Sequence, residues 1–184
     1  MAVRRQLVII PGLGDRGWLY CFIKPIWALF GYKVHIFVFG WNDERAAFKE
    51  AQNRLNTSIK GLGDEVYLIG VSAGGTAAVN ALAAHPTSIT KLATVCTPYQ
   101  QVPGLKNELL AQSINRTARN LAHMDSKTKA KILSVHGLYD QAVPVKYSEP
   151  DGIQRKSLLA IGHGLAVALA LSVYSRSIRL FLKD

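Results

Sequence analysis

The chain has 184 residues and a formal net charge of +10, from 22 lysine and arginine residues against 12 aspartate and glutamate residues. Hydrophobic residues make up 49% of it and charged residues 18%, which excludes an intrinsically disordered chain. The length suits a single domain, residues 1–184, with a substantial core. The basic residues are scattered and form no arm typical of nucleic-acid binding, so we expect no nucleic-acid partner. The positive charge leaves peripheral contact with an anionic membrane surface open.

The longest apolar stretch, residues 165–171, is shorter than the roughly 20 residues that a membrane span requires, so we expect no transmembrane segment. Cys21 and Cys96 lie in apolar surroundings and form no C-x-x-C pair. We interpret both as small core residues in a reducing compartment, which predicts a cytoplasmic location. The cysteines and histidines lack the close paired spacing of a metal site, so we expect no metal and no cofactor.

Apolar runs and helical patterns alternate along the chain. Strands are predicted at residues 6–10, 33–39, 65–69, 89–96, 131–136 and 157–161, and helices at residues 18–30, 44–59, 73–84, 105–123 and 165–182. Pro25 is expected to bend or restart the first helix. Six strands alternating with helices predict right-handed βαβ crossovers, and therefore a mostly parallel sheet between two helical layers, a three-layer αβα sandwich of the α/β class. Functional sites on such sheets form in loops at the carboxyl ends of strands.

One of these loops carries a serine between two glycines. Gly70-Val71-Ser72-Ala73-Gly74 follows the third predicted strand and precedes an alanine-rich helix. In this context G-x-S-x-G is typical of a nucleophile elbow, a strained turn that holds the serine hydroxyl clear of the sheet. The helix N-terminus beneath the serine favours a developing negative charge. By itself, the motif fits a tight turn without chemistry equally well.

Two further loops supply an acid and a histidine. Asp140 follows the fifth predicted strand by a few positions, and His163 lies in a Gly-His-Gly loop just beyond the last strand. The chain order is therefore Ser72, Asp140, His163. In this order and placement the chain resembles the α/β-hydrolase superfamily over essentially its whole length.

That resemblance implies hydrolysis through an acyl-enzyme intermediate. Ser72 would be the nucleophile, His163 the general base and acid, and Asp140 the carboxylate that orients the histidine. The resemblance also implies the strand order 2-1-3-4-5-6, because the first strand already leads into the oxyanion loop. The two leading strands of larger members are then absent.

An oxyanion hole formed by two backbone N–H groups is also implied. The expected donors are the N–H of Ala73, directly after the serine, and the N–H of Leu13, in the loop after the first strand. This chain has Pro11-Gly12 where many members of the superfamily have His-Gly. The departure weakens the match only slightly, because backbone supplies the donor.

Residues 97–130 are the predicted place for a small helical cap. The expected pocket residues are Gly12, Asp15, Trp18, Leu105 and Leu109, although core packing explains the apolar ones equally well. We therefore predict an esterase- or lipase-like enzyme whose partner is a small-molecule ester with an apolar acyl group. A thioesterase or amidase with the same triad stays open, as does a non-catalytic ligand-binding protein on the same fold. The oligomeric state is not predicted.

A second glycine pattern follows the first strand. Gly12, Gly14 and Gly17 match the G-x-G-x-x-G of dinucleotide-binding loops, and Asp43 or Glu44 could take the acidic position. That hypothesis leaves the serine, aspartate and histidine motifs unexplained, so it is a minor alternative.

The other four histidines have structural interpretations. His35 is expected on a strand face, and His85 at a helix end beside a proline. His123 is expected to be exposed, and His136 to support the loop that carries the acid.

Overall fold

A six-stranded parallel sheet forms the centre of the protein. The computed structural model describes residues 5–43 and 47–183, apart from the Leu19 side chain. The strands are β1 Arg5–Ile10, β2 Tyr32–Ile36, β3 Val66–Val71, β4 Ile89–Val95, β5 Ile132–Tyr139 and β6 Gln154–Ile161. Their order is β2-β1-β3-β4-β5-β6, and every neighbouring pair is parallel. The predicted topology is confirmed.

Helices cover both faces of the sheet. They are α1 Gly17–Tyr20, α2 Lys24–Ala28, α3 Phe48–Lys60, α4 Ala73–Ala84, α5 Glu108–His123, α6 Ser126–Lys129, α7 His163–Leu171 and α8 Ser175–Lys183, with a 3-10 helix at Val145–Tyr147. Alternate residues of β1 face opposite layers, as the period of a strand requires. Val8 and Ile10 belong to the core cluster that contains residues of α3, α4 and α5, whereas Leu7 and Ile9 belong to the one that contains residues of α2, α7 and α8. The three-layer αβα sandwich is therefore confirmed.

The single helix predicted at residues 165–182 is wrong, because α7 and α8 meet at an angle of 54°. The backbone ladder is interrupted between them. Leu171 O accepts a hydrogen bond from Trp27 Nε1 at 3.2 Å, and Tyr174 N–H donates to Leu169 O, five residues back. Among the described helices none is long and apolar enough to cross a membrane alone, and α7 and α8 meet that requirement only as a bent pair.

The predicted start of α5 is also shifted. The helix begins at Glu108, three residues later than predicted, because Asn107 caps it: its side chain accepts the N–H of Leu110 at 2.9 Å. The apolar stretch at residues 18–30 divides into α1 and α2. Pro25 lies in the first turn of α2, where its missing N–H costs no helical bond.

The helix predicted at residues 44–59 begins at Phe48. Residues 44–46 lie outside the described residues.

A buried polar cluster joins α4 to α5. Asn80 Nδ2 donates to Ser113 O at 3.2 Å, and Asn80 Oδ1 accepts from Asn120 Nδ2 at 2.8 Å. Thr76 Oγ1 lies 2.7 Å from Ser113 Oγ, and Thr117 Oγ1 donates to Thr76 O at 3.1 Å. Most of these groups are shielded from water, so the network holds α5 in one position on α4.

Replacement of Asn80 by alanine is expected to lower the free energy of unfolding by about 2–3 kcal/mol, because its partners on α5 lose their buried hydrogen bonds. Urea unfolding followed by circular dichroism measures the change. Asn53→Ala, at an exposed position of α3, is the matched control and should shift stability by less than about 0.5 kcal/mol. If the Asn80 variant is as stable as wild type, the cluster does not fix α5.

Candidate active site

Ser72 lies in the sharp turn between β3 and α4. Its backbone has φ 51° and ψ −122°, a conformation that residues with a side chain rarely adopt. A Cβ on Gly70 would lie 2.8 Å from Gly74 O, and a Cβ on Gly74 would lie 2.5 Å from Pro11 O. The two glycines of the motif are therefore required by close backbone packing, and the turn places Ser72 at the carboxyl edge of the sheet.

Asp140 and His163 are brought together by the loops after β5 and β6. His163 Nδ1 lies 2.7 Å from Asp140 Oδ2. Asp140 is 3% exposed, and its Oδ1 accepts the backbone N–H groups of Ala142 and Val143, each at 2.9 Å. Both carboxylate oxygens are therefore engaged, and the carboxylate fixes the orientation of the imidazole ring.

The pKa of Asp140 lies below its ordinary value. Burial alone would raise this pKa, but the hydrogen bond from His163, the backbone N–H groups of the loop and the charge of a protonated His163 together outweigh burial. The carboxyl group therefore stays ionised at neutral pH. An ionised carboxylate is the form that can stabilise an imidazolium.

Ser72 and His163 line the same cavity, whose volume is about 390 Å³. This lies within the range of roughly 300–1,000 Å³ usual for small-molecule sites. No hydrogen bond joins the Ser72 hydroxyl to the His163 ring within the described ranges. Such bonds are often long in unliganded sites and shorten when substrate is bound. The three predicted residues thus meet at one edge of the sheet.

The loop after β1 lies directly against Ser72. A Cβ on Gly12 would be 2.9 Å from Ser72 Cβ, so only a glycine permits this approach. Neither the N–H of Leu13 nor that of Ala73 donates a backbone hydrogen bond to another described residue. Leu13 lines the cavity, whereas Ala73 is fully buried and is not among the lining residues.

The segment after β2 anchors this loop from outside. Asn42 Nδ2 donates to Leu13 O at 2.6 Å, and Trp41 Nε1 donates to Pro11 O at 3.2 Å. Trp41 is buried. These contacts fix the backbone of the loop without using the Leu13 N–H.

Gly12, Leu13, Asp15 and Leu105 line the cavity, whereas Trp18 does not. The Trp18 side chain is 63% exposed. Tyr20, two residues along the same short helix, lines the cavity instead. Two positions correspond to about 200° around a helix, so the two side chains point in nearly opposite directions.

Leu109 is also outside the cavity. It packs against the core cluster on the α3–α5 side of the sheet, and Leu110 lines the cavity. One residue of a helix turns the side chain by about 100°, a difference that the sequence does not reveal. Further wall residues that were not predicted include Arg16, Pro98, Val102, Val143 and Val167.

Cys96 lies beside the aspartate and the histidine, a proximity that was not predicted. Its backbone φ is 50°. Its Sγ, a carboxylate oxygen of Asp140 and a ring nitrogen of His163 all lie within 4.8 Å of one another. This is a donor set that a metal ion could use. However, burial, and secondarily the charge of Asp140, raise the pKa of the Cys96 thiol to about 12, so it is protonated. The expectation that Cys21 is a core residue is wrong: Cys21 is exposed, and only Cys96 is buried.

The other histidines do not line the cavity. His136 is buried, and its Nε2 lies 2.9 Å from Ser157 Oγ and 3.3 Å from Glu149 Oε1. His35 Nε2 lies 2.8 Å from Gln6 Oε1 on the neighbouring strand. These contacts agree with structural roles.

The dinucleotide alternative finds little support at this site. Asp43, its candidate acidic residue, does not line the cavity beside Ser72. Glu44 lies outside the described residues.

Comparison with known proteins gives the fold. No family model and no curated protein matches the sequence. The ydeN gene product of B. subtilis matches with a TM-score of 0.72 and 16% identity, over 98% of this chain and 100% of its own. Monoacylglycerol lipase from Paleococcus ferrophilus matches with a TM-score of 0.74 and 14% identity, over 96% and 93% of the two chains. A meta-cleavage product hydrolase from Pseudomonas fluorescens matches with a TM-score of 0.68 and 12% identity, over 97% and 90%.

Identities this low establish the architecture and leave the reaction to be argued from the site. The chain has the fold of the α/β-hydrolase superfamily. This fold was predicted from the order of the serine, aspartate and histidine motifs along the chain, and the prediction is confirmed.

Proposed function

We propose that the protein is a serine hydrolase that cleaves carboxylic esters. The observation that carries this proposal is the 2.7 Å contact between His163 and Asp140 beside a serine held in a positive-φ turn of the same cavity. A ligand-binding protein on this fold would require neither the strained serine nor the oriented histidine. Strain of this kind clusters at functional sites.

In the proposed reaction, Ser72 Oγ attacks the ester carbonyl carbon while His163 removes the hydroxyl proton. The tetrahedral intermediate carries its negative charge on the former carbonyl oxygen, which accepts hydrogen bonds from the N–H groups of Leu13 and Ala73. His163 then gives its proton to the leaving alcohol, and an ester of Ser72 with the acyl group remains. Water, deprotonated by His163, attacks this acyl-enzyme by the same steps and releases the acid. Asp140 stabilises the imidazolium in both halves of the reaction.

The cavity walls support an apolar acyl group. Val102, Leu105 and Leu110 lie in or next to α5 and contribute one side of the cavity. We take residues 97–130 as a cap that belongs to the single domain, with α5 held on α4 by its polar cluster. A thioester or an amide could use the same triad, but no contact in the cavity favours either over an ester.

We also propose that the protein works in the cytoplasm. The exposed free thiol of Cys21 is consistent with a reducing compartment of this kind.

A chain-length series of 4-nitrophenyl esters tests the reaction and the pocket. We expect kcat/KM to rise by about ten-fold from acetate to butyrate, because each buried methylene contributes about 0.8 kcal/mol. Thioester and anilide analogues of the preferred acyl group identify the bond that is cleaved. Absence of turnover with every member of the series would refute the proposed function.

Leu110→Ala should flatten this chain-length preference by at least about three-fold, because it removes part of the acyl-facing wall. Leu109→Ala is the matched control: it truncates the neighbouring leucine, which packs on the core, and should leave the ratio of butyrate to acetate rates unchanged. Ratios are compared because both variants lower stability. Equal ratios in the two variants would place the acyl group elsewhere.

A further inference from the structure

We propose that Arg16 selects esters whose alcohol portion carries an anionic group, a carboxylate or a phosphate. This inference rests on the proposed hydrolase function. Arg16 is exposed to solvent and also lines the cavity that contains Ser72 and His163, so its side chain lies where the cavity opens. The apolar walls take the acyl group, and the alcohol portion of a bound ester is then directed towards this opening.

The Arg16 side chain lies along the loop that would hold the oxyanion. A Cβ on Gly14 would be 3.4 Å from Arg16 Cγ and 3.6 Å from Arg16 Nε. Gly14 directly follows Leu13, the residue whose N–H faces the developing charge in the proposed reaction. This places the guanidinium beside the loop that borders Ser72, and in the proposal it binds a group attached to the leaving oxygen while the ester carbon is at Ser72.

The charges around the cavity favour an anion at this position. The charged or titratable residues in its wall are Asp15, Arg16, Tyr20 and His163. Asp15 Oδ1 accepts a hydrogen bond from the N–H of Gly40, in the segment after β2, at 3.2 Å. This oxygen therefore already has a partner within the protein. Arg16 forms no ion pair with an acidic residue in the ranges 5–43 and 47–183.

An arginine in this situation suits carboxylate and phosphate oxygens. Its planar fork can donate two parallel hydrogen bonds to either group. A carboxamide of the same shape offers no negative charge, which gives the site a means of discrimination.

Matched butyryl esters test the proposal: those of 4-hydroxybenzoate, of 4-hydroxyphenyl phosphate and of neutral 4-hydroxybenzamide. For Arg16→Gln we expect kcat/KM of an anionic ester, divided by that of the neutral ester, to fall about ten-fold or more. Arg16→Lys should recover part of this ratio. Arg116→Gln, at an exposed position of α5, removes the same charge and should leave the ratio unchanged. The anionic ester that depends more strongly on Arg16 identifies the preferred group.

A ratio unchanged in Arg16→Gln, with the neutral ester still hydrolysed, would overturn the proposal and leave the hydrolase function intact. If wild type hydrolyses none of the esters, the proposed function fails, and calorimetry on Ser72→Ala decides about Arg16. In that background, the intact anionic esters should bind about ten-fold more weakly when Arg16 is replaced by glutamine. Equal affinity with and without Arg16 would reject the anion site.

Discussion

Replacement of Ser72 by alanine is expected to lower kcat/KM for 4-nitrophenyl butyrate by about 10⁴-fold or more. Without the hydroxyl no acyl-enzyme can form, and water would have to attack the ester directly. A residual rate above the uncatalysed reaction is expected, because the N–H groups of Leu13 and Ala73 can still stabilise an oxyanion. Steady-state rates with purified protein measure the loss, and mass spectrometry after a fluorophosphonate probe should show one adduct on Ser72.

Ser58→Ala, at an exposed position of α3, is the matched control and should keep wild-type activity and labelling. Circular dichroism of both variants separates loss of chemistry from loss of fold. The nucleophile assignment is wrong if Ser72→Ala hydrolyses esters at the wild-type rate. Turnover without probe labelling of Ser72 would indicate that another group attacks the ester.

The topology and the three polar motifs could be predicted because each depends on local sequence. Buried parallel strands appear as short apolar runs, and the glycines beside Ser72 are required by close backbone contacts within the same turn. Asp140 and His163 each follow the end of a strand. Parallel strands bring their carboxyl ends to one edge, so the meeting of these residues follows from topology without knowledge of side-chain packing.

The walls of the cavity could not be predicted in the same way. Trp18 and Tyr20, or Leu109 and Leu110, have similar apolar character, and only the rotation of a helix on the sheet decides which of each pair faces the cavity. Cys96 approaches Asp140 because β4 and β5 are neighbours and a positive φ turns the chain at its end. Neither fact is encoded in the few residues around each position.

The break between α7 and α8 shows a further limit on what local sequence predicts about helices. The sequence 165–182 is apolar enough to suggest one helix, but partners distant in sequence interrupt it. Trp27, on α2, donates to the carbonyl of Leu171. Tertiary contacts thus override a local helical pattern.

Replacement of Asp140 by asparagine is expected to lower kcat/KM by about 10³–10⁴-fold, by analogy with the effect of this substitution in other Ser-His-Asp enzymes. An amide could donate to His163 Nδ1 and so favour the wrong tautomer, and it carries no charge to stabilise the imidazolium. Probe labelling of Ser72 should slow in parallel. Asp151→Asn is the matched control, since that side chain is fully exposed and makes only a 4.0 Å contact with Arg155.

The same variant should reveal the titration of Asp140 in the stability of the protein. Because the pKa of Asp140 is lowered on folding, its ionised form contributes stability above the unfolded pKa of about 3.9. That contribution is lost as the pH falls through the lower pKa of the folded state. The difference in unfolding free energy between wild type and Asp140→Asn should therefore be constant from pH 7 to about pH 5 and narrow below about pH 4. Urea unfolding at each pH measures it, with Asp151→Asn expected to show almost no difference throughout. If the difference in unfolding free energy between the two proteins narrows near neutral pH instead, Asp140 is not held ionised by His163 and the loop backbone.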